Sequence, residues 1–210
     1  MGPRGVWQSH GSTNRIENSR GRSHRRGDGT QFRFPEDEVS DTIARIRRAN
    51  AAYAHASSRR QRLPNRPTLQ LAVVTCMDGR INVNQALGLA DGEAHIIRNA
   101  GGIVTEDVLR SLVVSQWALG TEEIMVVQHA GCGMIGLDEE DLAARIAHET
   151  GATLSFQLGG FVDLESSVRG SVQRARECQL LRHRHRVSGF ILDLESRTLR
   201  EVVASGSPPT

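Results

Sequence analysis

The hydrophobic pattern of the chain changes period several times, and each change marks a new element. In "PEDEVSDTIARIRRANAAYAHAS", residues 35–57, Val39, Ile43, Ile46, Ala49 and Tyr53 recur at steps of three and four, the spacing that gathers apolar side chains on one helical face. Acids open this segment and arginines follow, the order a helix dipole favours. The Pro- and Arg-bearing "RRQRLPNRP" (59–67) interrupts it. Beyond the break, "TLQLAVVT" (68–75) predicts a buried strand, "AHIIRN" (94–99) a short second one and "EEIMVVQ" (122–128) a third. Amphipathic helices are predicted at "EDVLRSLVVSQWAL" (106–119), with Thr105 as N-cap, at "DEEDLAARIAHET" (138–150) and at "DLESSVRGSVQRARECQLL" (163–181). The closing "GFILDLESRTLREVV" (189–203) reads as a hairpin around Glu195-Ser196. Such alternation predicts an α/β fold: a mostly parallel central β-sheet flanked by helices, with ligands bound beyond the carboxyl ends of the strands. There is no internal repeat, and no run approaches the ~18 apolar residues of a membrane span.

Composition alters this picture mainly at the N-terminus. The apolar share of 38% is ordinary for a globular chain once the 21 glycines are added. The net charge of +2 argues against a nucleic-acid-binding domain, although every permanently basic residue is arginine. Residues 1–34 are rich in Arg, Gly and Ser without apolar period and are expected to form a disordered tail. This tail is the sole candidate for contacting a polyanion. It shows neither the apolar core of a secretory signal nor the Ser or Thr of a myristoylation signal, since Val6 stands at that position. The organisation expected is a tail over 1–34, a single domain over 35–205 and a short tail over 206–210. Three scattered cysteines, Cys76, Cys132 and Cys178, do not make a disulfide framework, so a cytoplasmic, reducing setting is the expectation.

The chemistry concentrates at two predicted strand ends. In "IMVVQHAGCGMIGLDEEDL" (124–142), Gly131, Gly133 and Gly136 imitate a dinucleotide-binding turn, whereas His129-x-x-Cys132 is half of a metal site. A dinucleotide fold needs an acidic residue about 20 positions after its glycines, and "ATLSFQLGGF" (152–161) contains none. The first strand ends in "VVTCMDGR", where Cys76, Asp78 and Arg80 alternate. If the chain stays extended there, the three side chains share one side. Adjacent parallel strands would bring Cys76 to His129 and Cys132, and two thiolates with one imidazole form a Cys₂His zinc site whose fourth position is free for water or substrate. Cys178 falls inside a predicted helix, and His95, His183 and His185 have no ligand pattern around them. All four are read as structural or solvated residues.

Cys76-x-Asp78-x-Arg80 followed by His129-x-x-Cys132 resembles the β-class carbonic anhydrases, and "IRNAGG" (97–102) looks like the segment that family carries between its two ligand motifs. The resemblance runs from about Pro35 to Val203 and departs from the usual pattern at Gly79, where Ala or Ser is more frequent. It implies a Zn²⁺ cofactor on Cys76, His129 and Cys132, and reversible hydration of CO₂ to bicarbonate by zinc-bound hydroxide. It also implies a homodimer or dimer of dimers in which the N-terminal helix packs on the partner and the active site lies near the interface. Asp78 is expected either to close the site as a fourth ligand or to pair with Arg80 and leave it open, and to assist proton movement. Asn99, Ala100, Gly101 and Gly102 are expected in the substrate pocket. The same zinc chemistry directed at CS₂ or COS, or a non-catalytic zinc-binding protein, are the alternatives.

Overall fold

The computed structural model describes residues 39–56 and 63–206; the expected N-terminal tail lies outside the described residues, as does nearly all of the C-terminal one. The first described segment is one helix, α1 (Val39–Ala56), with Asp41 in its first turn and His55 in its last. Its periodic side chains Ile43, Ile46 and Tyr53 are exposed.

Residues 63–206 build the sheet. Five strands, β1 (Leu71–Cys76), β2 (Ala94–Asn99), β3 (Glu123–His129), β4 (Val187–Leu192) and β5 (Leu199–Val203), lie in the order β2-β1-β3-β4-β5. The first four are mutually parallel and β5 runs antiparallel to β4, so the predicted α/β class and terminal hairpin both hold. Helices α2 (Val83–Leu87), α3 (Glu106–Trp117), α4 (Glu139–Thr150) and α5 (Leu164–Glu177) connect the strands. Each begins at a side-chain cap, from Asn82, Thr105, Asp138 and Asp163 respectively, which satisfies an N–H that the helix leaves unpaired.

Strand alternation sorts the apolar residues into two layers. Ala72, Val74, Ile124, Val126 and Val187 face α3 and α5, where Val108, Leu112, Val172 and Ala175 meet them. Val73, Val127 and Leu192 face the other way, with Cys76, Cys132, Ile81 and Val83. The second layer is covered by the short α2 and by loop residues such as Met134 and Phe161, so the ligand-bearing loops themselves form part of the core.

Element limits differ from the sequence reading in places. β1 starts at Leu71 because Gln70 takes a positive φ of 54° and its carbonyl accepts the N–H groups of Glu122 and Glu123. The helix predicted to run to residue 181 ends at Glu177, and Cys178 is its C-cap, not an interior residue. Helix α2, of five residues, is too short to show a period and was not predicted.

Candidate metal centre

Cys76 is the last residue of β1 and His129 the last of β3. These strands are parallel neighbours, so both side chains arrive at one edge of the sheet. Cys132 follows in a tight turn in which Gly131 has φ +65° and the Cys132 carbonyl accepts the Ile135 N–H at 3.1 Å. The ligand atoms of Cys76, His129 and Cys132 all lie within 4.8 Å of one another, with the two sulfurs 3.8 Å apart.

The donor set fits a metal cation. His129 is fully buried. Its Nδ1 lies 2.9 Å from the Ala130 carbonyl, which makes Nδ1 the protonated nitrogen and leaves a lone pair on Nε2. That Nε2 is buried with no hydrogen-bond partner, a costly arrangement unless something electropositive meets it. Burial pushes the Cys132 thiol up, and the neighbouring Cys76 adds to this. Two buried thiolates this close need a positive charge between them, and two sulfurs with one imidazole suit zinc.

Asp78 and Arg80 lie beside this cluster, though not as an extended strand would place them. The chain turns after Cys76, and Ile81 N–H closes the turn on the Asp78 carbonyl at 3.1 Å. Within it the Asp78 carboxylate accepts from Arg80 Nε and the Arg80 backbone N–H through Oδ1, both at 2.9 Å, and from Nη2 through Oδ2 at 2.6 Å. Arg80 Nη2 also donates to the Gly131 carbonyl at 3.0 Å, tying the two ligand loops together. These bonds hold the Asp78 carboxyl well below the usual carboxylate range, the Arg80 side-chain bond contributing most. Asp78 Oδ2 sits 3.6 Å from His129 Nε2.

The family model described as "Carbonic anhydrase" matches residues 71–155. The chain is 38% identical over 148 residues to "Beta-carbonic anhydrase 1" of Mycobacterium tuberculosis, spanning 70% of this chain and 91% of that protein. It belongs to the β-carbonic anhydrase family. Among solved structures, the carbonic anhydrase of Streptococcus mutans superposes on this family member with a TM-score of 0.71 at 38% identity, over 76% of this chain and 96% of the other. A "Carbon disulfide hydrolase" of Acidithiobacillus thiooxidans is 31% identical, spanning 71% of this chain and 81% of its own.

In this β-carbonic anhydrase the segment Asn99 to Gly102 acts first as backing for the ligand strand. The Asn99 amide is spent on Ile103, donating to its carbonyl at 2.8 Å and accepting its N–H at 3.1 Å. Ala100–Gly102 form a 3₁₀ turn in which Gly101 and Gly102 are buried. A side chain on Gly102 would come within 2.7 Å of the Cys76 nitrogen, so only glycine allows this approach. Cys178 packs against the α3 and α5 layer, away from the ligand cluster, and His95 bonds Ser115 at 2.7 Å. One site residue escaped the sequence reading. Arg98, on β2, donates to the carbonyls of Cys76, Asp78 and Ile81 at 2.9, 2.6 and 3.2 Å. Its signals in the sequence were a charge near the end of a short strand and its place in "IRNAGG" (97–102).

Proposed function

We propose that this protein is a zinc-dependent carbonic anhydrase that interconverts CO₂ and bicarbonate. The observation that carries this is the buried Cys76, His129 and Cys132 cluster beside an Asp78 carboxylate held by Arg80. A zinc ion held by these three residues would supply the Lewis acidity that makes water nucleophilic near neutral pH. His129 is kept in the tautomer that offers Nε2 by its bond to the Ala130 carbonyl. Asp78, ionised and acceptor-only, receives a hydrogen bond from the attacking water and so directs its lone pair at the CO₂ carbon. Arg80 keeps Asp78 in that position with a two-pronged grip that a lysine lacks. The same grip stabilises the carboxylate, so Asp78 orients the nucleophile in its ionised form. Asn99, Ala100, Gly101 and Gly102 support this pocket from behind Cys76.

The assembly that fits this reading is a homodimer, or a pair of such dimers, with the exposed Ile43, Ile46 and Tyr53 of α1 laid on a second copy. No helix among the described residues is long and apolar enough to cross a membrane, and the three cysteines are free thiols, consistent with a reducing compartment.

A second reading keeps the site and changes the substrate to CS₂ or COS, favoured by the relative named carbon disulfide hydrolase at 31% identity. Stopped-flow CO₂ hydration by zinc-quantified protein separates the two. Rapid hydration that disappears in Cys76→Ser supports carbonic anhydrase. Silence toward CO₂ with measurable hydrolysis of CS₂ or COS replaces it with the second reading.

A further inference from the structure

We propose that Arg98 is a positioning residue that presets the Cys76 loop for the metal, an inference that rests on the zinc reading above. Arg98 lies on the edge strand β2, in register with Thr75 one residue before the ligand. Its Nε and Nη2, the two donors on one edge of the guanidinium, reach the carbonyls of Cys76 and Asp78, and Nη1 turns the corner to Ile81. All three acceptors belong to one six-residue loop, and it is the loop that carries Cys76, Asp78 and Arg80.

The main-chain ladder cannot do this alone. Pairing of β1 with β2 extends past Cys76 by one bond, from the Met77 N–H to the Asn99 carbonyl at 2.8 Å. Beyond it the chain leaves the sheet, and Met77, Gly79 and Arg80 are exposed. Arg98 replaces the missing ladder with three charge-assisted bonds, and a planar guanidinium with five fixed donors can span carbonyls two and five residues from the first. Arg80 then joins the same loop to the Gly131 carbonyl beside Cys132. Cys76 is thus held to β2 through Arg98 and to the second ligand loop through Arg80. Residues that fix ligands from behind typically change metal affinity or activity by 10–100-fold when removed.

The test is the rate at which zinc passes from the protein to an excess of a colorimetric chelator, with zinc per chain measured first. Arg98→Ala should release zinc about 10–100-fold faster than wild type, and Arg98→Lys, which can reach one carbonyl at a time, should fall between them. Ser115→Ala, which breaks a buried hydroxyl network with His95 and Thr121 on the α3 side of the sheet, serves as the stability control and should release zinc at the wild-type rate. The cobalt-substituted Arg98→Ala protein should also show an altered thiolate-to-cobalt absorption band. Zinc release from Arg98→Ala at the wild-type rate, or no faster than from Ser115→Ala at equal loss of thermal stability, overturns the assignment. Should Arg98→Ala fail to fold, Arg98→Lys decides in the same way. A wild-type protein that takes up no zinc removes both this inference and the reading beneath it, whereas normal wild-type zinc with unchanged variants removes Arg98 alone.

Discussion

Replacing Gly102 by alanine separates the cost of backbone conformation from the cost of contact, because Gly131 supplies an internal control. Both have nearly the same positive φ, 64° and 65°, so an alanine at either carries a similar penalty of about 1–2 kcal/mol for the left-handed conformation. They differ in what the added carbon meets. At Gly131 nothing lies within 4 Å, whereas at Gly102 it would fall 2.7 Å from the Cys76 nitrogen and 2.9 Å from the Thr75 carbonyl carbon. Both neighbours are backbone of the inner strand β1, so relief requires β1 to shift, and overpacking of this kind costs about 1–3 kcal/mol more. Gly102→Ala should therefore lose about 2–5 kcal/mol and Gly131→Ala about 1–2. The difference, about 2 kcal/mol, corresponds to about 4–8 °C in Tm for a domain of this size. Urea unfolding at fixed protein concentration measures it, with zinc per chain as the second readout, since the strand that must move ends in Cys76. Equal destabilisation of the two variants, or a destabilised Gly102→Ala with wild-type zinc content, would refute the reasoning.

Arg80→Ala should lower kcat/KM for CO₂ hydration, measured per zinc-loaded chain, by about 10–100-fold, because Arg80 holds the Asp78 carboxylate; full activity in that variant would sink the orienting role of the pair. Stripping the metal under reducing conditions should lower the urea midpoint by the equivalent of about 3 kcal/mol or more, as expected when a ligand binds the folded state at 100 or more times its Kd, and identical midpoints would exclude a metal from the cluster. Acid stability offers a third check. Asp163 and Asp193 are held below the usual carboxylate range by the hydroxyl and N–H of Ser166 and Ser196, so their contribution is complete above the unfolded carboxylate value near ~4 and is lost as pH falls through the lower folded values. The urea midpoint should decline between about pH 5 and pH 3, and less steeply in the Asp163→Asn, Asp193→Asn double variant; an unchanged slope would show that these carboxylates do not govern the decline.

The elements were legible in the sequence wherever burial imposes a period. The strands around Val73, Val126 and Ile191 and the helices carrying Leu112 and Val172 follow from side chains that must face one layer or the other, and the N-cap at Thr105 from a hydroxyl that can accept the Val108 N–H. Limits set by a single residue's conformation, such as the turn at Gln70, left no periodic trace. The candidate ligands Cys76, His129 and Cys132 were legible for a different reason: strand ends in a parallel sheet are where side chains from distant segments can meet, and thiolates with an imidazole suit a metal there. The sequence by itself determined the class of fold, the family and the candidate ligand set, because each depends on residue type and spacing. Tertiary structure alone decided that Arg80 bonds the Asp78 carboxylate, that Asn99 to Gly102 back Cys76, and that Arg98 grips the loop from a neighbouring strand. Those outcomes depend on which backbone atoms lie within hydrogen-bonding or van der Waals distance of one side chain, and such distances arise only when the strands have been laid side by side.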